Sequence, residues 1–195
     1  MSDQIQMPVR QAGAIYLKNM VSQFWYEEKT DKPSDSSTFT LSEVDKSTIR
    51  DNLIEAVIHS PDPIRVQLIV CVRTITQHDF PDKWVAIVDK VHHFIQNNDI
   101  NQWYGALQAY YQLCKIYEYK SVKDREPYHK AMRVLLPMFL ERLCQIADDQ
   151  SDLSVLTQKQ ILKIFFTFTQ FILPLDVLDK NSMNTWIEVA NMILA

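Results

Sequence analysis

Apolar residues recur every three or four positions along nearly the whole chain, the spacing that aligns side chains on one face of an α-helix. From Pro8 to about Glu27 the stripe Ala12, Ile15, Tyr16, Met20 and Phe24 predicts a first amphipathic helix. Glu28 to Thr38 holds no apolar residue, and residues 28–39 read as a polar, flexible insertion. Thr40-Leu41-Ser42-Glu43 fits a capping box, in which the threonine hydroxyl and the glutamate each satisfy a backbone N–H at a helix start. The second helix then runs to about His59, with Leu41, Val44, Ile49, Leu53, Ala56 and Val57 inward. Glu43, Lys46, Ser47, Arg50, Asp51 and Glu55 are expected to face solvent.

Ser60-Pro61-Asp62-Pro63 ends that helix and starts a third, with Asp62 expected at N-cap and Pro63 at the first helical position. The third helix reaches about His78, where Asp79-Phe80-Pro81-Asp82-Lys83-Trp84 makes a corner. Phe80, Pro81 and Trp84 read as structural anchors there, with Trp84 stapling the third helix to the fourth. A fourth helix extends to Gln96, a fifth from about Gln102 to Tyr119, and a sixth follows a cap at Asp124. Pro137 removes one hydrogen bond inside the sixth, which predicts a kink. The seventh, about Leu156 to Leu173, is apolar nearly all round, as a helix with neighbours on several sides would be, and an eighth begins near Asp179.

Two of these openings echo each other. Pro8-Val9-Arg10 and Pro63-Ile64-Arg65 place a rigid φ and then an arginine at the same offsets, as in a repeated helical hairpin with each proline opening a first helix. Eight helices then make about four hairpins, and the expected fold is an all-α, HEAT-type helical-repeat solenoid, a single segment over residues 1–195.

Composition narrows the function. Only Gly13 and Gly105 are glycines among 195 residues, too few for a phosphate-cradling loop. Lys+Arg total 20 against Asp+Glu 24, a net charge of −4, and no basic stripe is present, so direct nucleic-acid binding is disfavoured. No apolar run reaches the ~20 residues of a membrane span. Cys71, Cys114 and Cys144 are odd in number, widely spaced and set in apolar patterns, which reads as three reduced core residues. Asp89 and His93 lie four apart, yet a zinc site needs three or four ligands, so no metal or other cofactor is expected. No serine or cysteine sits in a nucleophile turn beside a base, which argues against an enzyme. An array of this kind works by presenting surface to partners. Ser34, Ser36 and Ser37 are accessible hydroxyls, and nothing in their pattern goes further.

Five strings resemble one family. They are Pro8-Val9-Arg10-Gln11-Ala12-Gly13 with Tyr16-Leu17-Lys18-Asn19-Met20; Arg50-Asp51-Asn52-Leu53-Ile54-Glu55-Ala56; His78-Asp79-Phe80-Pro81-Asp82-Lys83-Trp84; Tyr117-Glu118-Tyr119-Lys120 with Arg125-Glu126-Pro127; and Gln158-Lys159-Gln160-Ile161-Leu162-Lys163-Ile164-Phe165. Together they resemble the importin-β family of nuclear transport receptors, in the branch of importins seven and eight. Such receptors are several times longer and open with another hairpin before the one at Pro8, so the resemblance implies a piece of one. It implies partners: the small GTPase Ran in its GTP form, basic cargo such as histones and ribosomal proteins, phenylalanine-glycine nucleoporins, and importin β. It also implies shuttling between cytoplasm and nucleus through the nuclear pore, with Ran and cargo coupled antagonistically.

In that family the second helix of each early hairpin holds Ran. The resemblance therefore directs attention to Glu43, Ser47, Arg50, Asp51 and Glu55 on the second helix of this chain and to Asp82, Lys83, Asp89, Lys90 and His93 around the fourth. A reading from another class is a static HEAT-repeat scaffold for a multiprotein assembly.

Overall fold

The computed structural model describes residues 5–26, 39–171 and 173–194. The polar insertion therefore lies almost wholly outside the described residues. Eight α-helices form among them: α1 (Met7–Phe24), α2 (Glu43–Ile58), α3 (Asp62–Asp79), α4 (Ala86–Gln96), α5 (Ile100–Tyr117), α6 (Glu126–Gln145), α7 (Asp152–Thr169) and α8 (Lys180–Leu194). A single 3-10 turn, Val122–Asp124, precedes α6, and no strand occurs among the described residues. The chain divides into two compact units, Met1–Trp84 and Val85–Ala195.

In the first unit α1 packs along α3, and α2 packs on α3. The helices with the echoing prolines thus lie side by side, as equivalent helices of successive repeats do. Their rank differs from the expected one. α2 pairs forward with α3 and not back with α1, so the Pro63 helix is the second of its hairpin. The second unit repeats the scheme: α4 pairs with α5 and α6 with α7, while α5 lies along α7 and α4 and α8 lie along α6. Like helices stack with like and unlike helices close hairpins, which is the HEAT arrangement.

Contact on one side rotates the burial of α1 away from its expected stripe. Ala14, Val21 and Trp25 are buried, whereas Ala12 and Ile15 are exposed and Tyr16 is 72% exposed. Ala14 is small enough for close helix approach, so the buried face follows the fit to α3 and not the count of large apolar residues.

Helix starts also shift. The cap of α2 is Ser42, whose Oγ accepts from the backbone N–H of Asp45 at 3.2 Å and donates to the Asp45 carboxylate at 2.7 Å, so the N-cap is Ser42 and not Thr40. That shift turns Val44 outward, at 76% exposure. Pro61 is the N-cap of α3, and Asp62 is its first residue, paired with Arg65 at 2.8 Å. Asp124 sits in the 3-10 turn, accepting from Ser121 Oγ at 2.6 Å, and Arg125 occupies the cap position of α6. Pro137 lies inside α6, which continues through it to Gln145. Asp179 caps α8 through the N–H of Ser182 at 2.7 Å.

With two glycines in the chain, helix C-termini lack the usual left-handed glycine cap, and no described residue has a positive φ. Side chains satisfy the orphan carbonyls instead. Arg65 Nε and Nη2 donate to Val57 O and Ser60 O at the end of α2. Arg142 donates to Ile95 O and Gln96 O at the end of α4, its guanidinium 4.7 Å from the centre of the Trp103 ring. Arg125 donates to Glu118 O and Lys120 O beyond α5, and Gln158 to Ile146 O beyond α6. The arginine of the Pro-x-Arg opening thus acts, in α3, as a lock on the preceding helix.

Candidate functional site

The corner after α3 is built by hydrogen bonds that converge on Asp79. Its carbonyl accepts from Lys83 N at 2.7 Å and Trp84 N at 3.0 Å, closing the turn, with a cis peptide between Phe80 and Pro81. Its carboxylate accepts from Arg50 Nη1 at 2.7 Å. Arg50 also pairs with Glu43 through Nη2, and its carbonyl accepts from Trp84 Nε1 at 3.1 Å. The guanidinium lies 5.8 Å from the centre of the buried Trp25 ring. Trp84, 2% exposed, therefore anchors the corner to α2, and the expected staple between the third and fourth helices becomes one between the corner and the second.

This network removes Arg50 from the exposed face assigned to it: the residue is 7% exposed. Burial works against its charge, but hydrogen bonds to Glu43 and Asp79 outweigh that and raise its pKa above the ordinary guanidinium value. Glu43 is correspondingly held below the ordinary carboxylate value by the hydrogen bond from Arg50. An arginine at such a position reads as surface from sequence, because its carboxylate partner lies 29 residues on.

The other expected contact residues are placed as follows. Glu43, Ser47, Asp51 and Glu55 are exposed on α2, with Ser47 Oγ 3.4 Å from Asp51 Oδ2, and Asp82 and Lys83 are exposed on the corner of the same unit. Asp89 and His93 are exposed and Lys90 half-buried on α4, in the second unit. Both helices, however, are first members of their hairpins. The helix that ranks second in the first unit is α3, and its outward stripe is Val66, Val70, Arg73 and Gln77, with the two valines 60% and 39% exposed. Tyr26, just past α1, stacks on His78 of α3 with ring centroids 4.7 Å apart, so α1 and α3 share one accessible side. Sequence reasoning passed over this stripe because a Val-x-x-x-Val spacing reads as core.

A three-residue group, Glu126, His129 and Asp176, could in principle hold a metal ion. Arg133 already bridges both carboxylates, 2.6 Å from Asp176 and 3.2 Å from Glu126, and His129 Nδ1 lies 3.2 Å from Asp176. A guanidinium occupies the place of a cation, and the cluster ties α6 to the segment before α8. Of the cysteines, Cys71 and Cys114 are buried as expected, whereas Cys144 is exposed on α6.

Residues 1–59 match the importin-beta N-terminal domain. Over 193 residues, 99% of this chain, the sequence is 45% identical to Importin-8 of Mus musculus and of Homo sapiens, covering 19% of each. It is 28% identical over 196 residues to Exportin-2 of Drosophila melanogaster, covering 94% of this chain and 19% of that protein. Among solved structures, the exportin Cse1 in its cargo-free, cytoplasmic state superposes with a TM-score of 0.78 over 98% of this chain and 20% of that one, at 18% identity. The chain thus spans about a fifth of the length of these relatives.

Proposed function

From the premise that this chain belongs to the importin-β family of nuclear transport receptors, with the family's N-terminal domain in residues 1–59, we propose that it binds the small GTPase Ran in its GTP form as part of protein import into the nucleus. Import receptors and exportins share the domain, and 45% identity to Importin-8 against 28% to Exportin-2 supports the import direction. Basic cargo, phenylalanine-glycine nucleoporins, importin β and shuttling through the pore are proposed for the whole receptor. The net charge of −4 on these 195 residues is compatible with a basic partner.

One observation carries the choice of face. The family holds Ran on second helices, and the hairpin closed by α2 and α3 makes α3 the second. We therefore place the GTPase on the Val66, Val70, Arg73 and Gln77 stripe, with the first-helix residues Glu43, Ser47, Asp51 and Glu55 as the competing set. Arg50, buried, contributes by fixing α2 to the end of α3 and not by contact.

The test is binding of purified Ran, loaded with GTP, to the immobilised chain and two double variants. Val70→Glu with Arg73→Glu should abolish binding, and Asp51→Lys with Glu55→Lys should leave it within about threefold, a fraction of a kcal/mol. The reverse pattern would return the interface to α2. Absence of binding by the folded parent chain, with enrichment of one stable assembly in a pull-down, would favour the static scaffold.

A further inference from the structure

Helix α7 is turned partly inside out. Ser154, Thr157, Gln158, Gln160 and Thr167 are buried, while Val155, Leu156 and Phe166 are 40%, 44% and 63% exposed. Three of the buried polar side chains find acceptors close by: Ser154 Oγ donates to the Asp149 carboxylate at 2.6 Å, Thr157 Oγ1 to Leu153 O at 2.7 Å, and Gln158 Nε2 to Ile146 O. The exposed apolar side chains have no such compensation. In water they forgo about 25 cal/mol per Å² of apolar burial, so a helix that exposes them asks for an explanation.

Val155, Leu162 and Phe166 recur at offsets of seven and four (162 − 155, 166 − 162), which sets them on one face of α7. With Ile193 and Leu194 at the end of α8 they wall an open groove of about 420 Å³. Its two sides are fixed to each other, because Phe165 stacks on the buried Trp186 ring of α8 with centroids 4.2 Å apart. Lys159 and Lys163 line the same groove, both exposed, and among the described residues neither is paired with a carboxylate. The one acid on α7 is Asp152, in its first turn.

The lysines decide what fits. They straddle the middle of α7, so antiparallel pairing with the α7 of a second copy would bring four ammonium groups together. Stacking on the exposed Val9 and Tyr16 of a copy's α1 would set them against a helix whose only charged residues are Arg10 and Lys18. We propose that the groove docks an amphipathic helix of a partner protein, with its apolar stripe on Val155, Leu162 and Phe166 and its carboxylates against Lys159 and Lys163. The site lies on α7 and α8, which carry none of the proposed GTPase contacts, so it stands or falls independently of that reading.

The probe is a fluorescein-labelled helical peptide of about 18 residues with leucines at i, i+4, i+7 and i+11 and glutamates beside that stripe, titrated with the full chain and followed by anisotropy. Saturable binding is expected. Phe166→Ser and the pair Lys159→Glu with Lys163→Glu should each weaken it by about tenfold with unchanged circular dichroism, and so should glutamine in place of the peptide's glutamates. A peptide with lysines in their place should bind the doubly substituted chain at least about tenfold better than the parent. No binding of the glutamate peptide by the folded parent, equal binding of the glutamine peptide, or indifference to Phe166→Ser would each overturn the proposal. Dimerisation of the parent in sedimentation, abolished by Phe166→Ser, would overturn it in favour of a second copy.

Discussion

Arg50 Nη1 and Asp79 Oδ2 meet at 2.7 Å as a buried ion pair, with side chains 8% and 7% exposed, joining the middle of α2 to the last residue of α3. Removing one member of such a pair leaves the other charge desolvated and uncompensated. Arg50→Met should therefore destabilise the chain by about 3–5 kcal/mol in urea unfolding, and Arg50→Met with Asp79→Leu should recover most of that loss. A loss of under about 1 kcal/mol for the single variant would show that the pair behaves as a surface bridge.

The pH dependence is legible at Glu118. Burial alone would raise its carboxyl pKa, but hydrogen bonds from Lys115 and Gln170 outweigh burial and hold it below the ordinary value of 4.5. A folded-state pKa below the unfolded one stabilises fully above 4.5, and that stability is lost as the pH falls through the lowered value. Urea midpoints measured from neutral pH downward should fall below pH 4.5 in the parent chain, and more shallowly in Glu118→Gln. Identical acid slopes would remove Glu118 from the account.

Thiol chemistry should separate the three cysteines. Burial pushes the Cys71 and Cys114 thiols up to about 12, while Cys144 is exposed. Since thiolate is the reacting species, Ellman's reagent at about pH 8 should modify one thiol quickly, and the other two only after denaturant is added. Cys144→Ser should abolish the fast phase. A fast phase that survives it would place one of the buried thiols in reach of solvent.

Gly13 tests the exposed side of α1. A Cβ built there meets no atom within 4 Å, and the residue is exposed in mid-helix. Gly13→Ala should stabilise the chain by about 0.5–1 kcal/mol through lower backbone entropy in the unfolded state. Destabilisation in thermal or urea unfolding would mean that α1 is covered on that side.

The sequence reveals the helices more readily than their neighbours. Periodic spacing locates each of the eight to within a few residues, because a 3.6-residue stripe depends only on local order. It does not say which helix covers the stripe. Hence α1 buries Ala14 and Val21, with Trp25 at its C-cap, in place of Ala12, Ile15 and Tyr16, and the hairpins close one helix later than the proline echo suggests. Arg50 reads as surface for the same reason, since its partner Asp79 is remote in sequence. Thr40 and Ser42 both satisfy a capping pattern, and only the observed bond to Asp45 N decides between them. The family strings are legible in the sequence, and the rank of each helix in its hairpin is not.

The most direct test of the receptor reading is calorimetric titration of the folded chain with Ran loaded with GTP and, separately, with GDP. The account predicts saturable binding of the GTP form and at least about a hundredfold weaker binding of the GDP form, a difference of about 2.7 kcal/mol. Equal affinity for the two forms would contradict it.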